Sequence, residues 1–313
     1  LAPVGLTWPL NGSTPAGILG SYLAMHGVEG DRAALTYTAH GELSPFHEAW
    51  LRQCPGDRAQ AQVQVELLGD RLLPLHPSPD ATRPKLGIVI LEDTTLNAAA
   101  IARARTYQTL ITGCQWTTDL LQHHGLNPVQ LPLQGVDLSL FQPGTAVHPW
   151  GDRFLIFSSG TPSYAQGHDL VLAAYAAFRS RHPDALLVTS WTEAPAAIAT
   201  LAHSSHCTAP SHPDLAHWLA VNALDEAAVI NLGPVPYALL GQVLRGAAVA
   251  VFAQRCEPGI NPTLLASFAC GVPTILSNNT GHQPFVQQNL GFPLQFQRPV
   301  TPNSEMGTSG WGE

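Results

Sequence analysis

The stretch RCEPGINPTLLASFACGVP, residues 255–273, holds the densest chemistry in the chain. Glu257 stands just before a Pro-Gly turn, and Asn261-Pro262 open the apolar run that follows. Asn is a good N-cap, because its side chain accepts from an N–H of the first helical turn. Pro suits the first helical position, where its missing N–H would have had no partner. The spacing therefore predicts a helix from Pro262, with the backbone N–H groups of Gly259, Ile260 and Asn261 gathered at its start. A helix N-terminus of this kind is an anion site, here suited to a diphosphate. A carboxylate at 257 lies beside that anion and is better used to hold sugar hydroxyls.

A second carboxylate cluster, Glu92-Asp93-Thr94, ends the apolar run LGIVILEDT. Glu92 or Asp93 there orients an acceptor or takes its proton; alternatively, Asp93 caps the next helix. Gly12-Ser13-Thr14 follows the first apolar run, where Gly12 either approaches a donor phosphate or belongs to a plain turn. His40 follows LTYTA, in a surface loop. His203, His206, Cys207, His212 and His217 crowd one segment, but Pro and Ser interrupt it and the spacing matches no familiar zinc set. No metal is expected.

These groups need elements to hold them, and the composition allows a sizeable core. The chain has 313 residues, enough for about two domains, and 45% of them are hydrophobic. A formal charge of −8 with a single lysine, Lys85, disfavours nucleic acid and anionic membranes as partners. Five scattered cysteines read as reduced thiols in a cytoplasmic protein. No apolar run has the length of a membrane span, and no charged-then-apolar leader opens the chain. The absence of an initial Met suggests a piece of a longer polypeptide with further domains.

Short apolar runs alternate with helix-like segments. VGLTWPL, RAALTYT, LGIVILEDT, TLITGC and VQLPLQGVD read as strands, with helices between them. Residues 137–152 form a Pro/Gly-rich linker. The pattern then restarts with RFLIFSSG, the amphipathic GHDLVLAAYAAFRSRHP, ALLVTSW, AAVINLG, AAVAVFA and PTILSN. Fully apolar strands alternating with helices predict parallel sheets covered on both faces. The fold class is thus α/β, with two tandem Rossmann-like doubly wound domains at 1–145 and 146–313 and a ligand cleft between them. No G-x-G-x-x-G follows the first strand, which disfavours a nicotinamide dehydrogenase.

The order of these segments resembles the retaining glycosyltransferases of the two-Rossmann (GT-B) type, the large family four, also called glycosyl transferases group 1. Residues 255–273 resemble that family's carboxyl-terminal signature. VQLPLQGVDLSLFQPG resembles its crossover strand, GCQWTTDLLQHHGL the preceding strand and helix, and NTGH a loop after the signature. FLIFSSGTPSYAQGHDLVLAAYAAFRSRHPDALL resembles the first unit of the donor domain. Together these segments cover most of residues 85–290. The resemblance implies transfer of a sugar from a nucleotide-sugar substrate to a glycan, lipid or protein acceptor. It also implies retention, no cofactor and no metal, with the leaving phosphate helping to deprotonate the acceptor. Glu257 and Glu92 would be catalytic. Gly259, Ile260, Asn261, Gly160, Gln166, Gly12 and Arg255 would bind the donor.

Two departures set this chain apart. The second Glu of the signature, which grips the donor ribose in the family, falls at Ala266. The basic donor-loop residues fall at Thr161, Ala165 and Gln166. Each lost contact to developing charge costs roughly 2–4 kcal/mol if uncompensated. Arg153, Arg245 and Arg255 are the candidates to compensate, with Arg255 nearest in sequence. The alternative to a working transferase is a degenerate domain that binds or assembles. A sugar-nucleotide epimerase shares the architecture but needs more cleft carboxylates and histidines.

Overall fold

The computed structural model describes residues 4–7, 10–12, 14–29, 48–49, 52, 61–78, 80–132, 135–146, 148–224, 227–259, 261–300 and 307–313. RAALTYT, His40, Ser13 and Ile260 lie outside the described residues. Two parallel sheets follow one another along the chain. The first contains β1 (Val4–Leu6), β2 (Val63–Leu68), β3 (Lys85–Val89), β4 (Thr109–Thr112) and β5 (Val129–Gln130), in that spatial order. The second contains β6 (Leu155–Gly160), β7 (Leu186–Trp191), β8 (Val229–Asn231), β9 (Val249–Phe252), β10 (Thr274–Leu276) and β11 (Phe292–Pro293). Its spatial order is β11-β10-β9-β6-β7-β8.

The described helices are α1 (Pro15–Glu29), α2 (Ala98–Ala104), α3 (Gln115–His123), α4 (His168–Arg179), α5 (Pro195–Ala199), α6 (Leu215–Val221), α7 (Tyr237–Arg245), α8 (Pro262–Ala269) and α9 (Gln283–Gln287). The chain therefore has the α/β fold with two Rossmann-like units that the alternation predicts. In the second sheet β6 pairs with both β7 and β9, so the strand order reverses between β6 and β9. Ligands in open α/β sheets bind at the carboxyl ends of strands flanking such a reversal. Gly160 ends β6, and Gln254 lies just beyond β9.

Sequence forms these elements for identifiable reasons. In α4 the buried stripe Val171, Leu172 and Tyr175 packs on Ile156, Leu187 and Val229, and Asp169 places a negative charge in the first turn. Gly167 precedes α4 at φ +65, and a Cβ there would fall 1.9 Å from the Ala253 carbonyl oxygen. Only glycine lets α4 start this close to the end of β9. The Pro/Gly-rich stretch is more than a spacer, because Phe141 is buried against Tyr237, Leu240 and Leu244. The Tyr22 hydroxyl donates to Asp137 at 2.9 Å, and the Tyr237 N–H donates to the Gly12 carbonyl at 2.8 Å. The Tyr237–Gly12 hydrogen bond and the packing of Phe141 join the two units, while the Tyr22–Asp137 bond ties the stretch back to α1.

Arg255 is fully buried and makes a bidentate pair with Asp169 (2.7 and 2.8 Å). Its Nε also donates to Glu313 at 2.8 Å, and its guanidinium lies 3.9 Å from the centroid of the Tyr164 ring. The terminal segment 307–313 runs back to the first unit. The Gly307 N–H donates to Asp93, and the Trp311 indole N–H donates to the Glu92 carbonyl at 3.2 Å.

Removing one partner of a buried ion pair leaves an uncompensated charge. Asp169→Ala should therefore destabilise the protein by roughly 3–5 kcal/mol in urea unfolding. A loss under about 1 kcal/mol would mean that Glu313 and Tyr164 suffice to hold Arg255.

Candidate active site between the two sheets

A cleft of about 520 Å³ opens at the carboxyl ends of the strands. It is lined from the first unit by Thr14, Asp70 and Glu92, and from the second by Gly160, Gln166 and Glu257, among others. The two carboxylates singled out in the sequence thus lie in one cleft, although 165 residues separate them (257 minus 92).

Glu257 is 3% exposed and is held by its own loop. The Gly259 N–H donates to its Oε1 at 3.0 Å, and Asn261 Nδ2 donates to its Oε2 at 3.1 Å. The Glu257 N–H donates to Thr280 Oγ1, and its carbonyl accepts from the Gly281 N–H. The NTGH loop therefore clamps the glutamate's backbone. A Cβ at Gly281 would lie 2.5 Å from the Glu257 carbonyl oxygen, so this contact requires glycine. Asn261 caps α8 as its sequence context predicts, with Oδ1 accepting from the Leu264 N–H at 3.0 Å. The N–H of Gly259, expected to face an anion, is turned instead onto Glu257.

Glu92 follows β3. Its N–H donates to Asp70 Oδ1 at 2.8 Å, and its Oε1 accepts from Gln166 Nε2 at 2.6 Å. Burial pushes its carboxyl up to about 7. The Gln166 hydrogen bond pulls against that rise, while nearby Asp70 and Glu257 reinforce it. Asp93 does not cap the next helix. That role falls to Asn97, whose Oδ1 accepts from the Ala100 N–H. Asp93 binds the N–H groups of Thr95 and Gly307 instead.

Of the remaining expected donor contacts, Gly160 and Gln166 line the cleft, whereas Gly12 is not among its lining residues and its carbonyl accepts from the Tyr237 N–H. Arg255 requires a correction. It was expected near donor phosphate, yet the Asp169 pair holds it in the interior, away from the cleft lining. Arg153 is likewise committed, to the carbonyls of Asp184, Ala185 and Ala227. Arg245 lies beside Gly144 and Gly241. Ala266 is fully buried on the core-facing side of α8.

Sequence reading missed Asp70 and Gln254. Gln254 follows β9 after Ala253, so its position near a strand's carboxyl end was the available signal. Among the described residues no group of three His, Cys, Asp or Glu side chains is placed to hold a metal ion, the histidine-rich segment included. No described helix is long and apolar enough to cross a membrane.

No family model matches the sequence, and no curated protein matches it. Solved structures do resemble it. HepE of Anabaena in complex with UDP and glucose superposes with a TM-score of 0.63 at 11% identity, covering 93% of this chain and 85% of that one. The same protein in complex with UDP-glucose gives 0.61 at 12%, with the same coverage. A sucrose-phosphate synthase from Thermosynechococcus elongatus gives 0.61 at 14%, covering 94% and 86%. Likeness at this identity establishes the fold. The chain has the two-Rossmann GT-B architecture.

The Glu92 geometry fixes the sign of a pH effect. The folded protein keeps a proton on Glu92 up to about 7, while the unfolded chain releases it near the ordinary value of 4.5. Folded molecules thus bind more protons in that window, and the Glu92 contribution to stability is lost as pH rises through it. Glu92→Gln should therefore gain stability relative to the parent as pH rises from 4.5 to 7.5. Urea midpoints at the two pH values measure this, and a difference unchanged with pH would contradict it.

Proposed function

We propose that this chain is a glycosyltransferase that moves a sugar from a nucleotide sugar to a hydroxyl acceptor. Residues 1–145 receive the acceptor and residues 146–313 the donor. The observation that carries the reading is the convergence of Glu92 and Glu257 from different sheets on one cleft at the strand-order reversal. The fold is shared with HepE, which binds UDP and glucose, and this likeness supports a nucleotide sugar as the substrate. The sequence resemblance supports retention without metal.

In the proposed reaction the bond from the sugar's anomeric carbon to the diphosphate breaks, and a bond to the acceptor oxygen forms on the same face. The acceptor proton passes to the departing phosphate or to Glu92. Glu92 titrates near neutrality and can both receive and return a proton there. Glu257, fixed by Gly259 and Asn261, borders the sugar. Free thiols at Cys114, Cys207, Cys256 and Cys270 fit a reducing cytoplasm.

One observation favours the second reading, a binding or assembly module without catalysis. Ala266, where the ribose-holding Glu belongs, is sealed in the core, and none of Arg153, Arg245 and Arg255 reaches the cleft.

The two readings separate by turnover. UDP-glucose, UDP-N-acetylglucosamine and GDP-mannose are each offered with a panel of saccharide acceptors, and nucleoside diphosphate release is followed. The transferase reading expects release from one donor, reduced roughly 100-fold or more by Glu92→Gln if that residue is the general base. No release from any donor by the folded chain would leave the module reading.

A further inference from the structure

Asp70 lines the cleft just past the end of β2, and its carboxylate is turned onto the chain that carries Glu92. The parallel ladder between β2 and β3 last reaches Ile90, whose N–H donates to the Leu68 carbonyl at 2.8 Å. Beyond it the Asp70 side chain takes over. Its Oδ1 accepts from the Glu92 N–H at 2.8 Å and from the Asp93 N–H at 2.9 Å. Two successive N–H groups thus converge on one charged oxygen, a stronger arrangement than bonds to a neutral carbonyl.

The turn that presents Asp70 has an uncommon backbone. Arg71 and Leu72 both have positive φ, 56° and 54°. L side chains seldom adopt this conformation, and bulky ones least of all. The surroundings enforce it. Leu72 is fully buried in the cluster that holds Val89 and Leu91, and the Arg71 carbonyl accepts from Arg103 Nη1 at 2.8 Å. The Gly69 N–H donates to the Leu73 carbonyl at 2.9 Å and closes the turn. Arg71 reaches the Asp93 carboxylate at 3.7 Å, so the turn holds residues 92 and 93 by side chain as well as main chain. Backbone strain that the surroundings maintain beside a cleft points to a function for the residue it presents.

We propose that Asp70 is a positioning residue: by gripping two successive N–H groups it aims the Glu92 side chain across the cleft toward Gln166. It acts through Glu92 and not on the substrate. This rests on the transferase reading for what Glu92 does, and on the hydrogen bonds alone for how Glu92 is held. The Asp70 charge has a second effect. Burial is the main cause of the raised proton affinity of Glu92; the Gln166 hydrogen bond opposes it, and Asp70 and Glu257 add to it. The Cys256 thiol is the other titratable group coupled to Glu92 among the described residues.

Two variants separate grip from charge. Asp70→Asn keeps an oxygen for the two N–H groups and removes the charge, whereas Asp70→Ala removes both. Nucleotide-sugar turnover is measured on the whole chain, together with the pH titration of the Glu92 carboxyl carbon by NMR, its resonance assigned with Glu92→Gln. In Asp70→Ala kcat should fall roughly 10- to 100-fold, with KM for the donor within about threefold of the parent. Asp70→Asn should recover most of that loss. In both variants Glu92 should titrate at lower pH than in the parent, because a neighbouring negative charge is gone. A turn residue with a purely structural role would lower stability without splitting kcat from KM. Parent-like turnover and a parent-like Glu92 titration in folded Asp70→Ala would overturn the proposal, as would equal losses of kcat in the two variants. Should Asp70→Ala unfold, an unchanged Glu92 titration in Asp70→Asn overturns it. If the parent turns over no donor, the transferase reading falls separately, and amide exchange decides on Asp70. Faster exchange at Glu92 and Asp93 in Asp70→Ala, absent from Asp70→Asn, supports the grip; unchanged exchange in both overturns it.

Discussion

The buried pair between Arg255 and Asp169 is the constraint on which the site depends. It joins the loop after β9 to the first turn of α4, and so ties together the ends of the two strands where the sheet order reverses. The N–H groups of Arg255 and Cys256 both donate to the Ala165 carbonyl, which closes the same junction through the backbone. Gln166 and Glu257 follow Ala165 and Cys256 in sequence, and both line the cleft, with Gln166 reaching Glu92. A buried ion pair adds little stability over a well-packed apolar replacement. Here its effect is geometric, because a guanidinium fork accepts carboxylates in few orientations. Burial raises the proton affinity of Asp169 on its own, yet hydrogen bonds and charge from Arg255 hold its carboxyl below the usual range.

The terminal segment extends the same junction to the first unit. Glu313 meets Arg255, and Trp311, 2% exposed, packs against Ala165 and Cys256 while its indole N–H holds the Glu92 carbonyl. One short segment therefore backs both halves of the cleft. This explains how a carboxylate from the first sheet keeps a fixed relation to loops of the second.

Much of this was legible in the sequence, for physical reasons. Strands buried on both faces show as continuous apolar runs, so β3, β6, β7 and β9 stood out. Asn261 before Pro262 announced the start of α8. What failed to show was β2, because Glu66 sits in the middle of it. That carboxylate is buried, and Lys85 at 3.0 Å, Tyr107 and the Ser78 N–H satisfy it. A charged residue in a strand interrupts the apolar signal, and its partners are distant in sequence. Asp70, which follows β2, was missed with it. Arg255 was misread because its neighbour Glu257 borders the cleft, while its own partner, Asp169, lies 86 positions away. The substitution at 266 was visible, but its burial was not.

The central claim is that one saccharide-binding site lies between Glu92 and Glu257, formed jointly by the two sheets. Amide hydrogen exchange with and without saturating UDP-glucose tests it directly. Slower exchange confined to residues 92–94, 159–166 and 254–263 is the result this account predicts. Protection on one unit alone, or on surfaces away from these three segments, would contradict it.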